Sequence, residues 1–378
     1  MLQRKLYLQH TIDVYVAELA EGKFKLTFHR MTTRERIEII TSRAVAEFLA
    51  LLNGKNSVEE ILKKLGTFDE LEAKNFIDFL TSHHLVTDQD RDAYSHSKYE
   101  RQIAYFDDMI LDRKGIETQE LLGTKTVTLL GCGAVNGYIA ELLARAGVKK
   151  FTLVDYKVFD IQNISRHIYS KATDIGKSKV EILSKYLTDI DSEIKVDFYQ
   201  EKLTPNSDLS KWVPERESLV INGCDEPYIG HTSLKIGRYL QDKNIPLYVS
   251  GGFDAHLMSS GELVFPPLTP CIDCIQSTFS KALGEWKPTY SQLKDSSALI
   301  KIDPTIVEEF PVLNIGGAGG LASMSSFSAS LSSMEIIQFL VEDSNLIFNS
   351  LRYEYLPNKG EMTGFELLKQ DDCHVCNG

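Results

Sequence analysis

The sequence lacks any long apolar run. No stretch approaches the ~20 apolar residues that a transmembrane helix needs. The first residues, Met1 to Lys5, lead directly into alternating polar and apolar positions, without the apolar segment of a signal peptide. These absences predict a protein without a membrane partner, located in the cytoplasm.

Positive charge is in the minority. The chain carries 41 Lys and Arg residues against 53 Asp and Glu, for a net charge of −12. Because binding to a phosphate backbone requires a basic surface, this balance argues against a nucleic-acid partner.

Cysteine is also scarce, with six in 378 residues. In a reducing compartment we expect no disulfide framework. Two of the six, Cys132 and Cys224, lie at the ends of apolar runs and are interpreted as small buried hydrophobes. The other four form two CxxC pairs about a hundred residues apart, Cys271/Cys274 and Cys373/Cys376. Two such pairs predict a closed, structural Cys₄ zinc site, the alternative being two unrelated reduced pairs.

The first 88 residues have a pattern of their own. Apolar residues alternate with polar ones around residues 12–16, 24–28 and 37–39, which predicts a three-stranded antiparallel meander. Three amphipathic helices follow, the second opened by the capping box Ser57 and Glu60. This order predicts a winged-helix-like α+β domain over residues 1–88. The polar and charged stretch 89–120 is interpreted as a linker and N-terminal arm.

From Thr126 onward, strands alternate with helices. Apolar runs that read as strands lie at residues 127–130, 151–154, 218–221 and 247–250, with helices predicted at 136–146 and 177–187. The pattern is typical of an α/β, Rossmann-like, mostly parallel sheet with helices on both faces, which we place at residues 121–378. Small residues from Gly316 to Ser333 predict a further helix against this sheet.

A glycine loop follows the first of these strands. Gly131 and Gly133 open a helix, and Asp155 ends the next strand 22 residues after Gly133. In the dinucleotide fold such glycines let the backbone approach phosphates, and the acid binds ribose hydroxyls. The third glycine of the fingerprint is missing, since Asn136 stands in its place. NAD would be the default ligand of this loop alone.

Charged residues after Asp155 change that default. Asn163, Arg166 and His167 lie on a polar loop, and Lys177 and Lys179 precede a helix. Several cations near a nucleotide suit a triphosphate better than a pyrophosphate bridge, the alternative being a solvated helix start.

Asp225 follows the third strand of the predicted sheet. Ligands bind beyond the carboxyl ends of parallel strands, and a carboxylate there can hold Mg²⁺ on phosphates. The alternative is an ordinary helix N-cap.

Taken together, residues 98–378 resemble the ThiF/MoeB/HesA family, which is related to the ubiquitin-activating enzymes. The resemblance lies in residues 99–102, the glycine loop, Asp155, residues 163–166 and 176–179, Cys224-Asp225 and both CxxC pairs. It implies adenylation of a carboxyl group with MgATP by a homodimer. Asp155 would hold ribose, Asn163, Arg166 and Lys179 the phosphates, and Asp225 the Mg²⁺. Arg101 would reach the ATP phosphates of the partner subunit.

The sequence departs from the family in two places. Lys157 replaces a common acidic residue, and no cysteine occurs between Cys274 and Cys373. Members that pass on a thioester or persulfide often use a cysteine in that region. Its absence argues against sulfur transfer or ubiquitin-like conjugation.

The N-terminal domain resembles the PqqD-like domains that recognise leader peptides. Together the two domains are similar to activating enzymes of peptide-antibiotic pathways, such as those for pantocin A and microcin C. This resemblance implies a precursor peptide held through its leader, with glutamate side chains activated as in pantocin A-like ring formation. Acyl-adenylate and acyl-phosphate remain open. The rivals are an enzyme that adenylates the C-terminus of a sulfur-carrier or ubiquitin-like protein, a nicotinamide oxidoreductase and a DNA-binding regulator.

Overall fold

The computed structural model describes residues 2–66, 69–88, 94–111, 113–226, 228–251, 258–266, 268–282, 320–342 and 350–376. The chain divides into two compact units, Met1–Glu120 and Leu121–Gly378. Within the described parts of the chain, no helix combines the length and the apolarity that crossing a bilayer requires.

Two small sheets form the strand layer of the first unit. The predicted meander is confirmed as the antiparallel strands β2 (Ile12–Glu18), β3 (Lys23–Arg30) and β4 (Arg36–Ser42). A second sheet, not predicted from the sequence, has the order β5-β1-β6 and consists of β1 (Lys5–Leu8), β5 (Asn53–Ser57) and β6 (Val86–Thr87). Strand β5 is entirely polar apart from glycine, so its extended conformation depends on pairing with β1 rather than on an apolar alternation.

The three predicted helices of the first unit are also confirmed, as α1 (Arg43–Ala50), α2 (Val58–Leu65) and α3 (Glu70–Ser82). The capping box at α2 is present, with Glu60 Oε2 accepting from the Ser57 backbone N–H at 2.7 Å. The helices bury one face each against the meander in a core that includes Leu26, Phe28 and Phe48.

Helices also occupy the stretch that the sequence analysis interpreted as a linker. They are α4 (Glu100–Met109) and α5 (Gly115–Thr124). Helix α4 buries Ile103, Phe106 and the carboxylate of Asp107, which accepts a hydrogen bond from Tyr94 Oη at 3.0 Å. The helix has a weak apolar pattern because one of its three buried residues is an acid. Local donors satisfy the charge of that acid.

The second unit is built on a six-stranded sheet in the order β13-β11-β10-β7-β8-β9. The four predicted strands are confirmed as β7 (Thr126–Leu130), β8 (Lys150–Val154), β10 (Leu219–Asn222) and β11 (Leu247–Ser250). They are parallel, as expected, and so is the missed strand β9 (Lys195–Tyr199). The missed edge strand β13 (Gly261–Val264) is antiparallel to β11.

Helices and a third small sheet complete this unit. The helices are α6 (Ala134–Ala146), α7 (Lys179–Ile190), α8 (Ile229–Gln241), α9 (Ile272–Ala282) and α10 (Ala322–Leu340); the sheet joins β12 (Met258–Ser259), β14 (Leu351–Leu356) and β15 (Glu361–Glu366). Helix α10 confirms the predicted serine-rich helix and packs against α6 and β11. Residues 316–319 of that prediction lie outside the described residues.

Candidate nucleotide-binding and metal sites

A cavity of about 270 Å³ opens at the carboxyl ends of β7, β8 and β10. This position is the topological switch point of the sheet, because β8 and β9 lie on one side of β7 while β10 and β11 lie on the other. The predicted nucleotide and Mg²⁺ residues of this unit all line the cavity: Gly131, Gly133, Asp155, Asn163, Arg166, Lys179 and Asp225.

Gly131 allows the loops after β7 and β10 to touch. Its φ is +88°, and a Cβ at this position would lie 3.0 Å from the Gly223 carbonyl carbon. Any side chain here would be strained and would separate the two loops. Gly133 is the N-cap of α6, so the helix N-terminus points its free N–H groups toward the cavity edge.

The residues at the missing third glycine have a structural explanation. Asn136 is buried, and its Nδ2 donates to the Gly131 carbonyl oxygen at 2.7 Å while the side chain lies against Gly223. Gly137 leaves the space for the ring of Tyr169, whose hydroxyl donates to the Cys132 carbonyl. An amide and one displaced glycine therefore hold the loop in place of the usual third glycine.

Asp155 is oriented by backbone donors. Its Oδ2 accepts from the Cys132 N–H and its Oδ1 from the Lys157 N–H, both at 2.8 Å. Each oxygen keeps a further lone pair, so the carboxylate can still accept hydrogen bonds from a pair of ligand hydroxyls.

Three charged side chains of the cavity form no ion pair with another residue of the described ranges. Lys179 is 6% exposed, and burial lowers the pKa of its amine while the charges of Asp155 and Asp225 oppose that shift. Neither Lys179, Arg166 nor Asp225 makes a side-chain hydrogen bond or ion pair with any other residue that the structure describes. Asn163, by contrast, accepts from the Asp160 N–H at 3.0 Å and so closes the loop that carries Arg166.

A second charged cluster at the cavity was not predicted from the sequence. Glu226 accepts from Tyr156 Oη, and its carboxylate lies 2.6 Å from Lys157 Nζ and 3.4 Å from Lys202 Nζ. Burial would raise the pKa of Glu226, but the bonds from Lys157, Tyr156 and Lys202 lower it to about 2. Lys202 follows β9, so recognising that strand would have indicated it.

The four cysteines of the two CxxC pairs form one cluster. Their sulfur atoms lie within 4.8 Å of one another, with 3.6 Å between Cys271 and Cys373 and between Cys274 and Cys376. A tetrahedral ion with ~2.3 Å metal–sulfur bonds would need sulfur atoms about 3.8 Å apart. The Gln370 N–H also donates to Cys274 Sγ at 3.3 Å, as it would to a metal-bound thiolate. The cluster can hold a metal ion.

Arg101, the remaining predicted site residue, belongs to the first unit, where it lies exposed on α4.

The fold and the cavity define a nucleotide-binding α/β protein of the dinucleotide-fold class, with unpaired charges suited to phosphates and their metal ion. A profile of the ThiF family matches residues 99–375. The chain therefore belongs to the ThiF family.

Curated relatives match only in part. A tRNA threonylcarbamoyladenosine dehydratase of Bacillus subtilis is 35% identical over 24% of this chain and 34% of its own length. The adenylyltransferase and sulfurtransferase MOCS3 of Sus scrofa is 31% identical over 28% of this chain and 24% of its own length. The chain thus spans about a third and a quarter of these two relatives.

Among solved structures, Escherichia coli MccB in complex with MccA-N7isoASN covers 99% of both chains with a TM-score of 0.71 at 18% identity. A structure of PaaA covers 94% of this chain and 99% of its own, with a TM-score of 0.65 at 16% identity. These likenesses extend over both units and establish the fold.

Proposed function

We propose that this chain is an ATP- and Mg²⁺-dependent enzyme that adenylates a carboxylate of a ribosomally made precursor peptide. The observation that carries the proposal is a set of three cavity charges, Arg166, Lys179 and Asp225, beside the oriented carboxylate of Asp155. None of the three forms an ion pair within the part of the chain that the structure describes. Two cations and one metal-binding acid are what a triphosphate with its divalent ion would pair.

Each residue then has a defined role. The Gly131–Gly133 loop lets the backbone approach the nucleotide, and the free oxygen lone pairs of Asp155 bind the ribose hydroxyls. Asn163, Arg166 and Lys179 hold the phosphates, and Asp225 would hold the Mg²⁺, whose charge would neutralise that of the phosphates. A carboxylate oxygen of the substrate attacks the α-phosphorus, the bond to the bridging oxygen breaks, and pyrophosphate leaves with an acyl-adenylate remaining.

The peptide substrate is proposed from the domain combination. Solved complexes of MccB, described as a microcin C7 biosynthetic enzyme, contain MccA or ATP. In the first unit of this chain, β2 and β4 are the edges of the meander and expose Tyr15, Val16 and Ile40. A leader segment could add a strand there, with main-chain hydrogen bonds giving affinity and apolar side chains giving selection. Glutamate side chains, as in pantocin A-like ring formation, are the proposed acceptors, and Arg101 is proposed to complete the partner's site in a homodimer.

A carrier-protein substrate is the alternative class. MOCS3 and the ubiquitin-like modifier-activating enzyme 5 of Caenorhabditis elegans are among the relatives. The lack of cysteine between Cys274 and Cys373 leaves that region without the thiol such a transfer would use. A covalent thioester between the chain and a carrier protein would support this alternative.

The test is to identify the nucleotide products. The chain is incubated with MgATP and candidate precursor peptides encoded beside its gene, and the products are separated by chromatography. We expect AMP and pyrophosphate, together with peptide-dependent ATP–pyrophosphate exchange. Release of ADP and phosphate would instead indicate an acyl-phosphate. Binding of NADH without any ATP turnover would refute the proposal.

The same assay tests the leader. A core peptide without its leader should show KM raised by at least an order of magnitude, since the main-chain and apolar contacts of the leader would be lost. Adding the separate leader should not restore the native KM, because the two pieces are no longer linked. Equal processing of the leaderless and full peptides would reduce the first unit to a scaffold.

The metal is proposed to be structural zinc, because four thiolates in tetrahedral reach are its typical donor set. Elemental analysis should find about one zinc per chain, and Cys376→Ser should lower Tm and zinc content together. His374→Ala, which changes an exposed residue between the two cysteines of that pair, is the matched control and should keep both. A zinc-free chain with unchanged Tm would contradict this assignment.

A further inference from the structure

His167 lies at the cavity with a fixed tautomer. It is 4% exposed, and its Nδ1 lies 3.0 Å from the carbonyl oxygen of Asn163. A carbonyl oxygen only accepts, so Nδ1 carries the proton and Nε2 keeps its lone pair. Burial, and then the positive charge of Lys179, lower the pKa of the ring to about 4, so the imidazole is neutral near pH 7.

Two aromatic rings pack against the imidazole. The rings of Phe159 and Tyr169 contact it edge-on, with centroids 5.5 and 5.6 Å from its own. Nε2 is buried and has no hydrogen-bond partner among the residues that the structure describes. A buried acceptor without a donor is costly, which indicates that a donor of the cavity reaches it in solution, with or without nucleotide.

The amine of Lys179 is a cationic donor of the same cavity, and its charge acts on the His167 ring. Its Nζ lies 5.8 Å from the centroid of the same Phe159 ring that His167 contacts, and both residues line the cavity. ATP phosphates offer only acceptors, so they cannot satisfy Nε2 directly. A protonated lysine has three N–H donors and can serve the imidazole and the phosphates at once.

We infer that His167 is a positioning residue, which accepts a hydrogen bond from Lys179 through Nε2 and so orients that ammonium group toward the phosphates. The role in catalysis rests on the proposed function, whereas the contact between the two side chains does not. The neutral ring matters as well, because a protonated one would add a third cation beside Lys179 and Arg166.

Two substitutions separate this role from a purely structural one. In His167→Gln the amide can place its oxygen near the position of Nε2, whereas in His167→Asn the amide nitrogen can replace only the Nδ1 donor to Asn163. We expect Gln to keep kcat/KM for ATP within about threefold, and Asn to lower it about tenfold, on the scale of one lost charged hydrogen bond. If the ring served only to anchor the Asn163 carbonyl, the order would be reversed.

A second measurement is independent of the reaction. Lys179 is labelled with acetic anhydride in the nucleotide-free protein, and its acetylation rate is measured by peptide mass spectrometry, with Lys150 as the internal exposed reference. Loss of the acceptor favours the neutral amine, so the rate should rise about fivefold in His167→Asn and stay near native in His167→Gln. Equal Lys179 rates in all three proteins would overturn the inference, even if the chain adenylates peptides. The expected rates would support it even if the chain does not.

Discussion

Replacing Asp225 with asparagine is expected to slow adenylation at least a hundredfold while leaving the fold intact. The amide cannot supply the charge that holds Mg²⁺ against the phosphates, and one such electrostatic contact is worth about 2.7–4 kcal/mol in the transition state. Asp225 is exposed and makes no hydrogen bond with the other described residues, so the free energy of unfolding should change by no more than ~0.5 kcal/mol.

The measurement is kcat for pyrophosphate release, with Tm recorded for each protein. Asp242→Asn, at the exposed C-cap of α8, is the control and should leave both unchanged. Activity of Asp225→Asn within threefold of the native enzyme would remove this residue from the mechanism.

Mixing two inactive variants is expected to restore activity if Arg101 completes the site of the partner subunit. In a heterodimer of Arg101→Ala and Asp225→Asn, one of the two sites keeps both native residues. Random exchange of an isologous dimer makes half of the dimers mixed, so about a quarter of the sites, and of the native rate, should return. Each variant alone should stay below a few per cent.

The matched control pairs Arg101→Ala with the double variant Arg101→Ala, Asp225→Asn. No site in that mixture has both residues, so it should stay inactive. Subunit exchange is verified by mass spectrometry of differently labelled chains. Exchange without recovery in the first mixture would show that the site does not borrow Arg101.

Arg101 and Asp225 were predicted on different grounds. Arg101 entered the site only through the resemblance, since an exposed arginine on a helix has no local signal of function. Asp225 and the glycine loop, in contrast, were indicated by their places after predicted strands. Recovery of activity in the first mixture would therefore show that Arg101 acts in the partner's site, which neither the residue pattern nor the structure of a single chain indicates.

The sequence predicted the parts of the site that depend on local patterns. The glycines of the β7–α6 loop, Asp155 and Asp225 follow apolar strands, and ligands of parallel sheets bind where such strands end. The cysteine pairs were predicted by their spacing, and their sulfur atoms do lie within 4.8 Å of one another. The capping box at Ser57 was equally local, because it joins residues three positions apart.

Other features escaped because their signals were weak or misleading. Strand β9 is half exposed and carries Lys195 and Asp197, so it shows no buried run, and Lys202 beyond it was missed. Helix α4 buries an acid, and β5 has almost no apolar residues. In each case, strand pairing or hydrogen bonds outside the element stabilise a structure that its own residues only weakly favour.

The sequence by itself determined the strand–helix alternation, the glycine loop and the identity of the charges, since these depend on neighbouring residues. Only the tertiary structure decided that Asn136 replaces a glycine by joining two loops, and that Glu226 pairs with Lys157 and Lys202. It also decided that His167 Nε2 is buried at the cavity, without a hydrogen-bond partner among the described residues. The physical reason is that the pairing of a polar group depends on which loops the sheet order brings together, and that order is a property of long-range contacts.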